Sequence, residues 1–339
     1  MKQINFAGSE EKISCVCLGT MMMGTRINKA DSYAILDDFV ARGGNFLDTA
    51  NCYAWWWGDS NSYGDECEEL LGDWMEERQN RKDIFLASKF GGRLVDPKKV
   101  RDENGEIIWD KVPSNYEGSS AKAIRSAIEG SLKRLKTDYI DLYIVHIDDR
   151  SVDFEETLST LNDLVKEGKV KHIGCSNIRT WRLSNAREIS KRDGYPLFSA
   201  VQQEYSYIRP SIGADRGITL HVDDDLMDYI KSNNDMTLVA YSPLLKGIYT
   251  SEEKRKNYYG WDFFDNGESI ERVKVIEKMS NEMGISGNQL VLAWILHQKP
   301  EIVPILGFSS IEQYKENVDA LDIKLTDEQM EILNKGKLL

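Results

Sequence analysis

The sequence predicts an α/β protein in which one (β/α)8 barrel domain spans residues 1–339. Apolar runs of strand length alternate with amphipathic stretches of helix length over almost the whole chain, which is typical of repeated βα units and a parallel sheet. Eight such runs are present, and no linker rich in Pro, Gly or Ser separates them. A doubly wound open sheet would instead need a G-x-G-x-x-G run after an early strand, and the sequence has none.

The predicted elements follow one another in a regular order. Short apolar runs predict strands at 14–18, 45–47, 84–88, 142–145, 170–175, 200–202, 237–240 and 302–305. Longer amphipathic stretches predict helices near 30–43, 64–79, 119–136, 154–167, 180–192, 223–234, 270–284 with 287–298, and 310–321. The long segments 90–118, 204–222 and 246–269, and a shorter insert at 54–63, each follow a strand. In a barrel they all lie as long βα loops on the catalytic face.

The composition is that of an ordinary folded protein. Hydrophobic residues make up 41% of the chain and charged residues 29%, with 25 Gly and 7 Pro, which excludes a disordered or fibrous protein. No uncharged apolar run approaches the ~20 residues that a membrane helix needs, and the best candidate, 290–297, is far shorter. We therefore expect no membrane span. Because the N-terminus also lacks the apolar segment of an export signal, we expect a cytoplasmic protein.

Charge, cysteine and histidine exclude further classes of function. The net charge is −13 and there is no long basic cluster, so nucleic acid is not an expected partner. The five Cys residues include no C-x-x-C pair, which argues against a disulfide framework and a zinc ribbon. The four His residues are widely separated and lack H-E-x-x-H spacing. We expect reduced thiols and no bound metal.

Polar residues stand where predicted strands end. In a barrel these ends meet around one mouth, where functional side chains of this fold lie. A single barrel-end His or Lys is most simply explained by local hydrogen bonding, but a succession of polar residues forms a ring of hydrogen-bonding and titratable groups. The ring consists of Asp48, Lys89, His146, Ser176, Asn177, Gln202 and Tyr241.

The combination of Lys89 and Asp48 indicates acid–base chemistry on a phenol. A buried ammonium favours a nearby phenolate and lowers the pKa of a Tyr, while a carboxylate keeps the Lys charged and oriented. Tyr53, which follows Asp48 by five residues, is the obvious phenol. Such a Tyr donates a proton to a carbonyl oxygen as the carbonyl becomes an alcohol, with His146 donating a hydrogen bond to the same oxygen. The hydride must come from a cofactor, because no side chain supplies one.

Short motifs along nearly the full length strengthen this interpretation. They are Leu18-Gly19-Thr20-Met21 with Gly24, Asn45-Phe46-Leu47-Asp48-Thr49-Ala50 with Tyr53, Ala87-Ser88-Lys89, Asp141-Leu142-Tyr143-Ile144-Val145-His146, Ile173-Gly174-Cys175-Ser176-Asn177, Val201-Gln202-Gln203-Glu204-Tyr205-Ser206, Ala240-Tyr241-Ser242-Pro243-Leu244, and Glu312-Gln313 with Glu316-Asn317. Each motif is weak alone, but their order and spacing are highly specific together. On these residues the chain resembles the aldo-keto reductase superfamily.

The resemblance implies both a catalytic and a cofactor-binding set of residues. The implied catalytic tetrad is Asp48, Tyr53, Lys89 and His146, with Tyr53 as general acid. The implied contacts to a nicotinamide dinucleotide are Gly19, Thr20, Met21, Asp48, Ser176, Asn177, Gln202, Tyr241, Ser242, Leu244, Gly247, Gly307, Ser309, Gln313 and Asn317. Within this set Tyr241 would stack on the nicotinamide ring, 242–247 would follow the pyrophosphate, and 307–317 would surround the adenosine phosphate.

Two segments depart from the family's usual sequence. After the last strand, relatives commonly have I-P-G-A-R-S, or Lys in place of that Arg, and this chain has Ser309 at the cationic position. A hydroxyl gives the 2′-phosphate of NADP hydrogen bonds but no charge. We expect NADP(H) to be preferred, as is usual in the family, with NAD(H) as the alternative. After His146, residues 147–149 are Ile-Asp-Asp where relatives often place apolar residues, so the adjacent pocket wall is expected to differ.

Many aromatic residues occupy loops predicted to surround the mouth. Trp55, Trp56 and Trp57 follow Tyr53 directly, and Trp109, Tyr116 and 258–264 add further rings. These rings either pack the loops onto the barrel or cover a subunit contact, or else they form a substrate platform together with Tyr53 and His146. Mixed with acidic residues at 59, 65, 110 and 262, they suit a sugar or polyol as well as an aromatic ketone. Cys52 has no basic neighbour in sequence, so packing explains it better than a redox role.

Our interpretation is a nicotinamide-dependent oxidoreductase acting on a small-molecule carbonyl or polyol. Two alternatives remain open from the sequence. Some chains that resemble this family are cofactor-binding regulatory subunits of membrane channels, with little turnover. A barrel lyase that forms a Schiff base on Lys89 is the other alternative. The sequence leaves the substrate, the physiological direction and the oligomeric state open.

Overall fold

The computed structural model describes residues 1–337, in which eight parallel strands close into a barrel surrounded by helices. Two short strands come first, β1 (Gln3–Asn5) and β2 (Lys12–Ser14). The barrel strands are β3 (Cys17–Gly19), β4 (Phe46–Asp48), β5 (Phe85–Phe90), β6 (Ile140–Val145), β7 (Val170–Ser176), β8 (Phe198–Glu204), β9 (Thr237–Tyr241) and β10 (Ile302–Leu306). Pairing of β10 with β3, where Ile305 lies opposite Cys17, closes the ring. The predicted (β/α)8 barrel is confirmed.

The barrel is filled with apolar side chains, which include Phe46, Phe85, Leu142, Val239 and Val303. A second and larger apolar layer lies between the strands and the outer helices. Strands that are buried on both faces need apolar residues at successive positions. This explains why the strands were visible in the sequence as continuous apolar runs.

The first predicted strand, 14–18, was wrong in its extent. Its beginning belongs to a separate antiparallel hairpin in which Ile4 of β1 pairs with Ile13 of β2. Phe6, between the two strands, is fully buried, and its ring centre lies 4.8 Å from that of Phe85 at the start of β5. The hairpin therefore closes the amino-terminal end of the barrel, and its three-residue strands are too short to show a period in the sequence.

Helices form the outer ring. They are α1 (Lys29–Ala41), α2 (Glu66–Arg78), α3 (Ala121–Leu135), α4 (Phe154–Lys166), α5 (Thr180–Asp193), α6 (Asp224–Ser232), α7 (Glu252–Lys256), α8 (Trp261–Phe264), α9 (Gly267–Met283), α10 (Gly287–Leu296), α11 (Ile311–Asp319) and α12 (Asp327–Lys335). Helices α7, α8 and α12 were not predicted from the sequence. A signal for α12 was present, because Thr326 and Gln329 form a capping box at its start.

The segment 90–118 folds into a compact layer of short turns over the mouth. Leu94 pairs with Tyr116 as an isolated bridge, and Arg101 pairs with Ile107 in the same way. The layer packs against the loop that follows β4 through an apolar cluster that includes Trp55. Part of the predicted catalytic-face loop is therefore held in place by its own core.

The insert 204–222 folds back onto the end of β8. Arg216 forms a buried, bidentate ion pair with Glu204. Nη1 donates to Oε2, and Nη2 donates to Oε1 at 2.8 Å. The same guanidinium lies 4.9 Å from the ring centre of Phe264 in α8. One arginine thus joins two of the long loops, 204–222 and 246–269, above the barrel. Among residues 1–337, no helix is long and apolar enough to cross a membrane.

Candidate active site

Four of the predicted residues meet at the carboxyl-terminal mouth of the barrel. Asp48 is the last residue of β4, Lys89 is the penultimate residue of β5, and His146 directly follows β6. Tyr53 comes from the loop after β4 and reaches back to the same place. The strand ends set these positions, because the carboxyl ends of all strands in a parallel barrel lie at one rim.

Lys89 is the centre of the hydrogen-bond network. Its Nζ atom donates to Asp48 Oδ2 at 2.7 Å, to the backbone oxygen of Thr49 at 2.7 Å and to the Tyr53 hydroxyl at 2.5 Å. Lys89 is 0% exposed and Asp48 is 1% exposed. All three ammonium hydrogens therefore have acceptors, and the charge is paired, as a buried ammonium requires. Removing one partner of a buried ion pair costs about 3–5 kcal/mol, so the geometry of the pair is strongly maintained.

Asp48 is held from two further sides. Gln202 of β8 donates from Nε2 to Asp48 Oδ1 at 2.8 Å, and the Tyr53 hydroxyl lies 3.1 Å from Oδ2. The backbone oxygen of Asp48 accepts hydrogen bonds from both N and Oγ1 of Thr20, at 3.0 and 2.9 Å. Gln202 and Thr20 were predicted as cofactor contacts, and in this structure both orient the carboxylate residue.

Tyr53 is protonated at neutral pH. Burial and the negative charge of Asp48 raise its pKa well above the usual value. The expectation that Lys89 would lower this pKa was therefore wrong in its net direction. The sequence did not show how far the phenol is buried, nor that a carboxylate oxygen of Asp48 lies beside it. A protonated phenol next to an ammonium suits a proton donor, since the ammonium stabilises the phenolate formed on donation.

His146 is a neutral imidazole. Burial and the positive charge of Lys89 lower its pKa to about 3. Its ring centre lies 6.0 Å from that of Tyr53, and its Nδ1 atom lies 3.6 Å from Cys52 Sγ. A neutral imidazole carries one N–H, which donates a hydrogen bond without adding charge to the site.

The residues predicted near a nicotinamide ring also lie together. The Tyr241 hydroxyl donates to Asn177 Oδ1 at 2.7 Å. Asn177 Nδ2 in turn lies 3.1 Å from Ser176 Oγ and 3.4 Å from the backbone oxygen of His146. Asn177 adopts a left-handed backbone with φ of 52°, which turns the chain sharply at the end of β7. These amide and hydroxyl groups form a polar wall next to the four residues described above, and their donors and acceptors suit a carboxamide.

The segment 242–247 makes a sharp turn after β9. Its positive φ values are 51° at Ser242, 45° at Leu245, 60° at Lys246 and 88° at Gly247. Leu244 is buried in the same turn. A run of such residues turns backbone N–H groups towards one side, which is the arrangement of anion-binding turns.

Two side chains from later in the chain face this turn at Gly247. A Cβ atom placed on Gly247 would lie 3.5 Å from Asn288 Nδ2 and 3.9 Å from Lys254 Nζ. Within residues 1–337, the buried Oδ1 atom of Asn288 has no hydrogen-bond partner. The turn therefore combines backbone donors, a side-chain amide and a cation, which fits a phosphate group. Lys254 and Asn288 were not predicted from the sequence, since neither belongs to a motif.

The segment 307–317 forms a second polar group after β10. Ser309 donates from N and Oγ to Gln313 Oε1, at 2.8 and 2.9 Å, and Asn317 Nδ2 donates to the backbone oxygen of Gly307 at 2.9 Å. Ser309 and Gln313 are exposed. Side chains of this group can hydrogen-bond an adenosine phosphate, and at position 309 the group has a hydroxyl where a cation was expected.

The two remaining predicted contacts, Gly19 and Met21, flank the end of β3. A Cβ atom on Gly19 would lie 2.8 Å from Ile305 Cγ2 and 3.1 Å from the backbone oxygen of Leu306, so the barrel closure itself requires glycine here. Met21 is half-buried.

The three consecutive tryptophans have different environments. Trp55 is 3% exposed and packs against Trp109, with 6.0 Å between ring centres, while its backbone oxygen accepts a hydrogen bond from Arg101. Trp56 and Trp57 are half-buried and contact each other edge to face. Packing therefore explains Trp55, whereas the other two rings keep accessible surface on the catalytic face.

No cluster of three or more His, Cys, Asp or Glu side chains in the described part of the chain is arranged to hold a metal ion. The five Cys residues are all free thiols.

Comparisons with known proteins agree with this geometry. The sequence pattern of the Aldo/keto reductase family matches residues 15–336. Norsolorinic acid reductase A of Aspergillus parasiticus is 30% identical over 329 residues, covering 94% of this chain and 76% of that protein. The NADP(+) aryl-alcohol dehydrogenase of Phanerodontia chrysosporium is 31% identical over 344 residues, covering 95% of this chain and 82% of that protein.

A solved structure gives the same result for the fold. The thermostable aldo-keto reductase Tm1743, crystallised with the inhibitor epalrestat, superposes with a TM-score of 0.70 and 26% identity, covering 99% of this chain and 100% of that one. The chain therefore belongs to the aldo/keto reductase family, the nicotinamide-dependent oxidoreductases that interconvert carbonyls and alcohols.

Proposed function

We propose that this protein reduces an aromatic aldehyde or ketone to the alcohol, and catalyses the reverse reaction, with Tyr53 as the proton donor and acceptor. The observation that carries the proposal is the contact of 2.5 Å between Lys89 Nζ and the Tyr53 hydroxyl, in a network fixed by Asp48. Because the Tyr53 phenol is held protonated beside an ammonium, it gives up its proton only when a stronger acceptor, such as a developing alkoxide, lies next to it.

Tyr53 and His146 share the stabilisation of the carbonyl oxygen. The Tyr53 hydroxyl transfers its proton to this oxygen, and the negative charge left on the phenolate is compensated by Lys89. His146 is neutral, so it donates a hydrogen bond to the same oxygen without competing as an acid. In the direction of alcohol oxidation the phenolate accepts the hydroxyl proton, and the same hydrogen bonds stabilise the transition state.

A nicotinamide dinucleotide, when bound, supplies or accepts the hydride. We propose that the side chains of Ser176, Asn177 and Tyr241 hold the nicotinamide end. The turn at 242–247 holds the pyrophosphate, with Lys254 contributing the positive charge. The segment 307–317 holds the adenosine phosphate.

NADP(H) is our preferred cofactor, with NAD(H) as the alternative. The aryl-alcohol dehydrogenase relative is named for NADP(+), and Lys254 supplies a cation close to the expected phosphates. The hydroxyl of Ser309 is a weaker partner for a 2′-phosphate than a guanidinium. We therefore expect a modest preference for NADP(H).

An aromatic substrate is supported by the accessible rings and by the relatives. Trp56 and Trp57 keep exposed surface close to Tyr53, and the relatives include an aryl-alcohol dehydrogenase and a norsolorinic acid reductase. A polyol is less well supported, because Asp65, one of the acidic residues that suited it, is engaged by Arg93 at 2.6 Å. Aromatic faces bind planar rings more strongly than they bind polyols.

The test of this function is turnover of benzaldehydes and aryl ketones with NADPH and NADH, followed at the nicotinamide absorbance, in the wild-type protein and in Tyr53→Phe. We expect Tyr53→Phe to lower turnover by at least ~10²-fold and to leave dinucleotide binding nearly unchanged. Tyr116→Phe is the matched control, since it removes another half-buried phenol near the mouth. Activity of Tyr53→Phe within a few-fold of wild type would remove Tyr53 from the mechanism.

A further inference from the structure

A small cavity lies beside the candidate active site. It has a volume of about 220 Å³ and is bounded by the loop after β6, the start of α5 and the insert 204–222. Ile147, which directly follows His146, forms part of its wall, and so does Asn177, whose Nδ2 atom lies 3.4 Å from the backbone oxygen of His146. The cavity therefore shares a wall with the reaction centre.

The cavity is positively charged, although the chain as a whole carries −13. Its one carboxylate, Asp148, is only 8% exposed and is already paired, because Oδ1 accepts a hydrogen bond from Arg182 Nε at 2.9 Å and lies 2.8 Å from Arg182 Nη2. Arg150, which also lines the cavity, reaches the other oxygen of Asp148 at 3.2 Å. The single negative charge of Asp148 thus compensates only one of the two positive charges of Arg150 and Arg182.

Arg179 adds a further positive charge. It lines the same cavity immediately before α5 and is exposed to solvent. Within residues 1–337, no oxygen accepts a hydrogen bond from its guanidinium group. With Asp148 subtracted from Arg150 and Arg179, the residues that line the cavity carry a net charge of +1.

Much of the remaining wall is apolar. Ile147, Ile218 and Leu220 line the cavity with hydrocarbon, so its chemistry combines apolar surface with guanidinium groups. A guanidinium presents parallel N–H groups that match the two oxygens of a carboxylate. The cofactor groups do not use these charges, since a nicotinamide carboxamide is neutral and the phosphates are expected at 242–247 and 307–317.

We propose that this cavity is a specificity subsite that binds the carboxylate of an acidic carbonyl substrate through Arg179, with Arg150 beside it. This inference rests on the proposed function. It adds that the preferred substrate carries a carboxylate on the aromatic or alkyl body attached to the reacting carbonyl. The insert 204–222 forms one wall through Gly217 and Ile218, so the subsite depends on that segment.

The kinetic test compares two aldehydes of nearly the same shape, 4-carboxybenzaldehyde and the uncharged 4-nitrobenzaldehyde, in the wild-type protein and in Arg179→Leu. We expect Arg179→Leu to raise KM for the carboxylate roughly 10-fold or more, the usual scale for a lost charge-assisted hydrogen bond, and to change KM for the nitro compound less than about 2-fold. Arg179→Lys keeps the positive charge but loses the parallel N–H groups of the guanidinium. We expect its KM for the carboxylate to lie between those of the wild type and Arg179→Leu.

Arg192→Leu is the matched control, because it removes the same charge from the exposed far end of α5, where Arg192 pairs with Asp193. It should leave the KM of both aldehydes unchanged. Equal effects of Arg192→Leu and Arg179→Leu would mean that only long-range charge matters, and this would overturn the subsite. An equal loss for both aldehydes in Arg179→Leu would also overturn it.

Equilibrium binding keeps the subsite testable apart from turnover. Calorimetric titration with 4-(hydroxymethyl)benzoate should show binding to the wild-type protein that weakens roughly 10-fold in Arg179→Leu. If neutral aldehydes are reduced but the carboxylate neither binds nor reacts faster in the wild type, the subsite is wrong and the proposed function stands. If no aldehyde is reduced while the benzoate still binds through Arg179, the proposed function fails and the anion site remains.

Discussion

Cys52 Sγ lies 3.6 Å from Nδ1 of His146. Burial raises the pKa of this thiol to about 12, so it keeps its hydrogen, and the imidazole is neutral. When the thiol donates to Nδ1, the imidazole hydrogen lies on Nε2, whereas a hydrogen on Nδ1 would donate to the sulfur. A Cβ atom at Gly92 would lie 3.1 Å from Nδ1, so there is little room for another partner on that side. We expect Cys52 to favour the tautomer that can donate to a carbonyl oxygen from Nε2.

We expect Cys52→Val, which fills the space without a donor, to lower kcat/KM by about 5-fold, because one modest hydrogen bond is worth about 1 kcal/mol. Cys52→Ser keeps a donor and should retain most of the activity. Nitrogen chemical shifts of His146 report the tautomer directly, and we expect the population with hydrogen on Nδ1 to rise in Cys52→Val only.

The control is Cys175→Val, since Cys175 is equally buried but its Sγ atom lies 3.9 Å from the backbone oxygen of Ala200. If Cys52→Val and Cys175→Val have the same effect on kcat/KM, or if the His146 tautomer is unchanged, then Cys52 only fills space.

The cofactor preference is tested at Ser309. Ser309→Arg should tighten NADPH binding by ~1–3 kcal/mol, the scale of a charged hydrogen bond, with much less effect on NADH. Fluorescence titration with both dinucleotides measures this difference. Ser309→Gln controls for side-chain length, because it adds hydrogen-bonding groups without charge. If Ser309→Arg strengthened the binding of NADPH and NADH equally, this segment would not lie beside the 2′ position of the dinucleotide.

Three residues at the barrel mouth were placed correctly near strand ends because their positions depend on local sequence, although β5 and β8 each extend two residues further than predicted. Asp48, Lys89 and His146 each follow or close an apolar run, and in a closed barrel such positions meet at one rim. The net pKa shift of Tyr53 was predicted in the wrong direction, because burial depends on loops that fold over the mouth from distant parts of the chain.

Contacts that join distant segments gave no pattern in the sequence. Lys254 reaches the turn at Gly247 from α7, a helix of five residues that is too short to show a hydrophobic period. The contact between Cys52 and His146 joins residues 94 positions apart. Motifs predict which residues line the mouth, but the partners that tune those residues are set by tertiary packing.

Stability should depend on pH through His221. Its Nδ1 atom lies 2.8 Å from the backbone oxygen of Val222, its Nε2 atom is buried without a partner among residues 1–337, and burial lowers its pKa to about 4. A histidine whose pKa is depressed in the folded state stabilises the fold above its unfolded pKa of about 6.5, and this stabilisation is lost as the pH falls towards the folded value. Between pH 7 and pH 5 the loss is about 2 kcal/mol.

His221→Asn removes the titrating ring and retains a side-chain N–H near the position of Nδ1. We expect the free energy of unfolding, measured with urea at pH 7 and pH 5, to fall less on acidification in this variant than in the wild type. Comparing the two proteins cancels the contribution of all other groups. Parallel losses in both would show that His221 does not titrate differently on unfolding.

Single substitutions of the three consecutive tryptophans distinguish rings that pack the loop from rings that bind substrate. Trp55 is buried against Trp109, so Trp55→Ala should lower stability by about 3–5 kcal/mol, the usual cost of removing a buried aromatic ring. Trp56 and Trp57 keep exposed surface, so at least one of Trp56→Ala and Trp57→Ala should lower kcat/KM for an aromatic aldehyde by ~10-fold while the Tm stays close to wild type. Thermal unfolding and steady-state kinetics on the three single variants measure both effects. If all three variants lose stability and the folded fraction keeps wild-type kinetics, the rings serve packing alone, and the substrate surface has to be sought among the aromatic residues at 258–264.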